Sequence, residues 1–152
     1  MDKLLEKKIN KEFKVGNVKS AIELCQIGLQ NDPTNADLHV RLGDLYLAWH
    51  LDIYNSGKYI DEAITEYQRA LESYFDSAEI YYKIGIAQFY KGDLDKAVNY
   101  FDLAISKDQK FSKAYYMLAE TYTKMARFLE ASLNAKESKG NPESKMFLKT
   151  LS

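Results

Sequence analysis

Four alanines in the same local setting constrain what this chain can fold into. Ala21 stands in KSAIELC, Ala63 in DEAITEY, Ala97 in DKAVNYF and Ala131 in LEASLNA, at successive spacings of 42, 34 and 34 residues. A unit written repeatedly at a period of 34 predicts stacked supersecondary elements rather than one closed core. Gly85 precedes Ala97 by twelve residues and Ala119 precedes Ala131 by twelve, while Gly43 is the matching small residue before Ala63. Seven residues after each alanine comes another small residue: Gly28, Ala70, Ala104 and Ser138. Small residues at fixed phase let two helix backbones approach closely while large neighbours fill the gaps.

Each unit reads as two amphipathic helices. In SAEIYYKIGIAQFYKG the apolar Ile80, Ile84, Ala87 and Tyr90 recur at helical spacing, as do Leu94, Ala97, Val98, Phe101, Ala104 and Ile105 in DLDKAVNYFDLAISKD. The junction Lys91-Gly92-Asp93 supplies a glycine to end the first helix and an aspartate to cap the second. Asp32-Pro33 and Asn141-Pro142 punctuate the chain in the same way. Gly43 to Ala63 is eight residues longer than Gly85 to Ala97. Written as helix, that insertion adds about 12 Å. The expected result is a long first helix from Asp37 to about Tyr54, with the chain turning at Asn55-Ser56-Gly57.

The period, the helix-turn-helix layout, Leu42-Gly43, Ile84-Gly85, the Ala-x6-small spacing and Asp32-Pro33 together resemble the tetratricopeptide repeat (TPR). The resemblance covers residues 2–35, 36–77 with the insertion, 78–111 and 112–140, four repeats in one domain spanning 1–152. Tyr81 and Tyr115 keep the aromatic common near the start of the family's first helix, whereas Leu5 and His39 replace it. The resemblance implies an all-α, right-handed solenoid of antiparallel helix pairs. The segment after Asn141-Pro142, with Phe147 and Leu151 at i, i+4, reads as a capping helix over about 142–151.

Composition narrows the function. The 152 residues are 46% hydrophobic and 28% charged, with a formal net charge of -1 and the two signs interspersed, so there is no broad positive field for nucleic acid. The N-terminal MDKLLEKKINKEFK has no apolar run of signal-peptide or membrane-spanning length, which leads to the expectation of a cytoplasmic protein without membrane insertion. With only Cys25 there is no intrachain disulfide, and no zinc site without further soft ligands.

Residues that could carry chemistry read as structural. His39 and His50 stand outside any metal-ligand spacing, and Cys25 falls among Ile22, Leu24 and Leu29, where a small buried hydrophobe is wanted. The acidic pairs Asp61/Glu62 and Asp93/Asp95 are assigned to first helical turns, where negative charge complements the helix dipole. Gly85 and Gly92 lack the Lys-Ser/Thr of a phosphate loop. The expectation is a chain with no catalytic residues, no metal and no cofactor.

Twelve tyrosines and the single Trp49 are the strongest compositional signal. The resemblance implies that first helices line the inner, concave wall. It places there Asn10, Phe13, Arg41, Asp44, Leu47, Tyr82, Lys83, Ile86, Phe89, Tyr90, Tyr116, Met117 and Glu120. Aromatic and apolar anchors rimmed by Lys83, Lys113 and Lys124 have the character of a recognition surface. The implied function is a non-enzymatic adaptor or scaffold that binds a peptide segment of another protein with micromolar-order affinity. The family's clamp for acidic chaperone tails is poorly matched: one frame offers Glu6, Asn10, Arg41, Glu79 and Lys83, and the next substitutes Asp44 and Met117 at key places. The competing reading is a self-assembling homo-oligomer that docks through Trp49, Leu51, Ile53 and Tyr54 of the inserted extension.

Overall fold

The computed structural model describes residues 3–52, 57–73 and 77–137. Within them the chain forms seven helices and no strand: α1 (Lys3–Lys14), α2 (Val18–Asn31), α3 (Ala36–Asp52), α4 (Gly57–Glu72), α5 (Ala78–Lys91), α6 (Leu94–Lys107) and α7 (Ser112–Glu137). Each helix packs on the next in sequence, from α1 on α2 through to α6 on α7. The result is an all-α helical-repeat solenoid.

Local chemistry sets the helix ends. Ser77 Oγ accepts from the Ile80 amide to open α5, and Asn35 Oδ1 accepts from the Leu38 amide at 3.1 Å to open α3. Gly92, at φ 91°, closes α5 in the left-handed region while its N–H reaches the carbonyls of Gln88 and Phe89. Asp93, expected to cap α6, makes no side-chain cap bond; its carboxylate instead accepts from Lys96 Nζ at 3.2 Å. Its ψ of 70° lies outside the extended region from which a cap side chain reaches the first helical amides.

The alanine register accounts for the core of the first three pairs. Ala21, Ala63 and Ala97 have no accessible surface, and Gly28, Ala70 and Ala104 are buried one helical stretch further on. Tyr67 and Phe101, 34 residues apart, are fully buried against the small residues of the preceding helix. A β-carbon on Gly43 would lie 2.5 Å from Tyr67 Cε1, and one on Gly85 would lie 2.5 Å from Phe101 Cε1. Burying such a ring contributes roughly 1.5–3 kcal/mol, available here only because a glycine lets it in.

The inserted unit differs from expectation in two respects. Helix α4 already begins at Gly57, so Gly57 belongs to the helix, and Asp61 and Glu62 lie beyond its first turn. Helix α3 is described as far as Asp52; Ile53, Tyr54, Asn55 and Ser56, together with the side chain of Leu51, lie outside the described residues. Trp49 is half-buried, its ring stacked on Tyr59 of α4 at 4.9 Å and 10°, and Tyr59 in turn faces Tyr46 at 6.1 Å. The aromatic signal of the insertion thus goes largely into holding α3 to α4.

The fourth helix pair expected over 112–140 is not formed in the described residues: α7 continues unbroken for 26 residues. The repeat register explains why. The positions that hold Gly92 and Asp93 in the third pair hold Ala126 and Arg127 in the fourth, replacing a left-handed turn by two good helix formers. The position of Phe101 is taken by Ala135, which removes the large anchor a returning helix would bury. Ala131, expected in the core with its three counterparts, is consequently exposed. Ser138, Asn141-Pro142 and the capping helix over 142–151 lie outside the described residues. No described helix is long and apolar enough to cross a membrane.

Candidate functional site

The first helices α1, α3, α5 and α7 are joined side by side through a row of side-chain contacts, and these involve most of the sequence-derived wall residues. Between α1 and α3, Arg41 Nη2 donates to Asn10 Oδ1, and its guanidinium carbon stands 5.7 Å from the centre of the Phe13 ring. Between α3 and α5, Lys83 Nζ donates to Asp44 Oδ1 at 2.6 Å, while Tyr67 of α4 donates its hydroxyl to the same oxygen at 2.9 Å. Between α5 and α7, Lys124 Nζ lies 4.3 Å from the centre of the Phe89 ring and donates to the Phe89 carbonyl at 3.4 Å.

These contacts leave a graded surface. Tyr90, Tyr116 and Glu120 are exposed; Ile86, Phe89 and Met117 are half-buried between them. Phe89 meets Tyr90 edge-on at 5.8 Å. Leu47 is half-buried against the core, and Tyr82 is engaged from behind by Phe101 at 6.0 Å and by Phe111 edge-on at 5.3 Å. Burial, reinforced by Glu79 and Tyr90, raises the Tyr82 phenol above its ordinary value, so the ring is held neutral. What the face offers a ligand is therefore aromatic area with cations already positioned over or beside it.

Spacing alone did not reveal a second cluster, which lies on α3 and α4. Buried His39 places Nδ1 2.6 Å from Glu66 Oε2 and Nε2 2.9 Å from the Pro33 carbonyl, and Arg69 donates to the other Glu66 oxygen at 2.8 Å. Both imidazole nitrogens thus face acceptors, and Glu66 is used on both oxygens. The cluster floors a cleft of about 460 Å³ with Gln26, Leu29, Pro33, Leu42 and Tyr46. Its polar atoms satisfy one another, which is a packing arrangement for His39. The side chain of His50 lies outside the described residues. Cys25 is fully buried, and burial pushes its thiol up to about 12, the reverse of an activated nucleophile. Among the described residues no three of His, Cys, Asp and Glu gather as metal ligands.

Comparison with known proteins assigns the repeat. A family model described as "TPR repeat" matches residues 52–92, and one described as "Tetratricopeptide repeat" matches residues 78–111. The crystal structure of MamA superposes with a TM-score of 0.68 at 24% identity, covering 94% of this chain and 76% of that one. The chain is a tetratricopeptide-repeat protein. Other structures show the same TPR architecture. The first TPR of Spaghetti (RPAP3), bound to the HSP90 peptide SRMEEVD, has a TM-score of 0.70 at 22% identity, over 81% of this chain and 91% of that one. PcrH, in complex with the chaperone-binding region of PopD, has a TM-score of 0.66 at 16% identity, over 80% and 91%. At these identities the likeness is one of fold. No curated protein sequence matches the chain.

Proposed function

We propose that this TPR chain is a non-enzymatic protein-interaction module whose ligand is a peptide segment of another protein, held along the face of α3, α5 and α7. The observation that carries the reading is the aromatic platform of Phe89, Tyr90 and Tyr116, half-buried to exposed, with Lys124 fixed over Phe89. Aromatic area that is rigid and already flanked by cations suits a segment with apolar anchors and a carboxylate. Structures of the same fold solved with bound segments, an HSP90 peptide on RPAP3 and a PopD region on PcrH, support that mode of binding.

The chemistry of the face also argues against a chaperone-tail clamp. Asp44, which stands where that clamp needs an amide, is bound to Lys83 and Tyr67 and presents negative charge. The peptide SRMEEVD is therefore expected to show no saturable binding. A display selection of random peptides on the full chain is expected to enrich apolar segments carrying an acidic residue, with affinities of micromolar order. Tyr90→Ala and Tyr116→Ala, both at exposed positions, should weaken the enriched peptides at least about tenfold with unchanged circular dichroism. Failure to enrich any segment, or enriched segments indifferent to both substitutions, would remove the face as the binding site.

A further inference from the structure

Helix α7 carries an apolar stripe that the described elements leave uncovered. Tyr115, Ala119, Tyr122, Ala126 and Leu129 follow one another at steps of four, three, four and three residues, the heptad spacing that keeps side chains on one helix face. All five are exposed, the large ones at 48%, 52% and 60%. A different flank of α7, with Ala114 and Thr121 buried and Leu118 and Met125 half-buried, is the one taken up by packing on the solenoid.

The chain itself shows what kind of element belongs on such a face. One repeat earlier, the positions of Tyr115, Ala119 and Tyr122 are those of Tyr81, Gly85 and Gln88. There Tyr81 stacks on Tyr100, Gly85 lies against Phe101, and Gln88 is buried, all beneath the antiparallel α6. Helix α7 forgoes such a partner by running straight through Ala126, because its own continuation points away along the helix axis.

The stripe is complementary to itself in one orientation. With two copies antiparallel about a two-fold axis level with Lys124, Tyr122 of each meets Ala126 of the other, and Leu129 meets Ala119. Every such layer then sets a large side chain against a small one, the condition for interdigitated packing. Parallel pairing would instead stack Tyr122 on Tyr122 and Ala119 on Ala119, crowding one layer and emptying the next. The geometry points to a homodimer of this chain in which the two α7 helices pair antiparallel through Tyr115, Ala119, Tyr122, Ala126 and Leu129. The pairing does not use Tyr90, Lys83 or Asp44, so it stands apart from the peptide-binding reading.

Sedimentation equilibrium on the full chain from about 1 to about 300 µM tests it. The mass is expected to rise from 17.5 kDa toward twice that value. Ala119→Glu and Leu129→Lys, both at exposed positions, should each hold the chain at the monomer mass with unchanged circular dichroism. An equimolar mixture of the two variants should recover the dimer, because the introduced carboxylate and ammonium then face each other across the seam. A full-length chain that is monomeric throughout overturns the proposal. So does a full-length monomer that dimerises only once residues 138–152 are removed, which would assign the stripe to the chain's own tail. A dimer that survives both substitutions, or variants that fail to complement each other, overturns the antiparallel seam.

Discussion

A methyl group on Gly85 would stand 2.5 Å from a ring carbon of Phe101, a side chain with no accessible surface to move into. Gly85→Ala therefore sets an overpacking cost of about 1–3 kcal/mol against a helix-propensity gain of about 1 kcal/mol. The expected net result is a lower urea midpoint at unchanged slope; a midpoint that stays or rises would mean that α5 and α6 separate freely. Cys25 makes a second residue-scale test. Its folded thiol is raised by burial to about 12 from an ordinary 9.0, and Tyr67 is raised by burial and by the Asp44 carboxylate. In both cases the folded state holds a proton that the unfolded chain gives up first. Their contribution is thus complete below about pH 9 and is lost as pH rises through the folded values. Unfolding free energy should fall steeply above pH 9, and Cys25→Ala should make that fall shallower. At pH 8, a disulfide reagent should react with Cys25 only at the rate of unfolding; reaction at the rate of a free thiol would show the site to be open.

Among the elements, α5 and α6 were the most legible, since Ile80, Ile84, Gly85 and Ala97 write the helical period and the close approach, and Gly92 writes the turn. Helix α7 was misread by the same logic. The alanine of the repeat persisted at Ala131, but the features that make a helix turn back, a residue able to take positive φ and a large anchor after it, were gone. A repeat register is carried by small core residues, whereas a turn is decided by one or two backbone positions, so the two can part company. The candidate wall was legible as a set of positions because first helices share one phase. Its pairings, Asp44 with Lys83 and Lys124 with Phe89, join residues more than thirty apart and depend on how neighbouring repeats dock. The His39–Glu66 pair was missed for the same reason: nothing in local spacing links α3 to α4 across the insertion. The straightness of α7 yields its own prediction. Ala126→Gly should cost α7 about 1 kcal/mol. Hydrogen exchange should quicken around residues 122–130 and stay unchanged in α5 and α6; uniform acceleration along the whole chain would show instead that α7 unfolds only with the entire molecule.

At the scale of the molecule, a solenoid holds together through contacts between successive units, so its cooperativity depends on a few junctions. The junction between the second and third helix pairs is concentrated on Asp44 Oδ1, which accepts from Tyr67 Oη at 2.9 Å and from Lys83 Nζ at 2.6 Å. The charged pair is partly exposed and contributes little by itself in water. The phenol matters more, because Tyr67 is fully buried and its hydroxyl would lose this acceptor. Asp44→Ala should therefore destabilise by about 1–3 kcal/mol, mostly from that unpaired hydroxyl. Asp44→Asn keeps an acceptor for Tyr67 while giving up the charge for Lys83, and should cost well under half as much. The two substitutions also separate stability from coupling. If Asp44 ties the halves together, Asp44→Ala should lower the urea slope and let hydrogen exchange in α1–α3 run ahead of α5–α6, whereas the parent chain unfolds as one unit. Equal loss of protection on both sides of the junction, with an unchanged slope, would place the coupling elsewhere: in the apolar contacts around Ile60, Ile64 and Ile80, which belong to the same buried cluster.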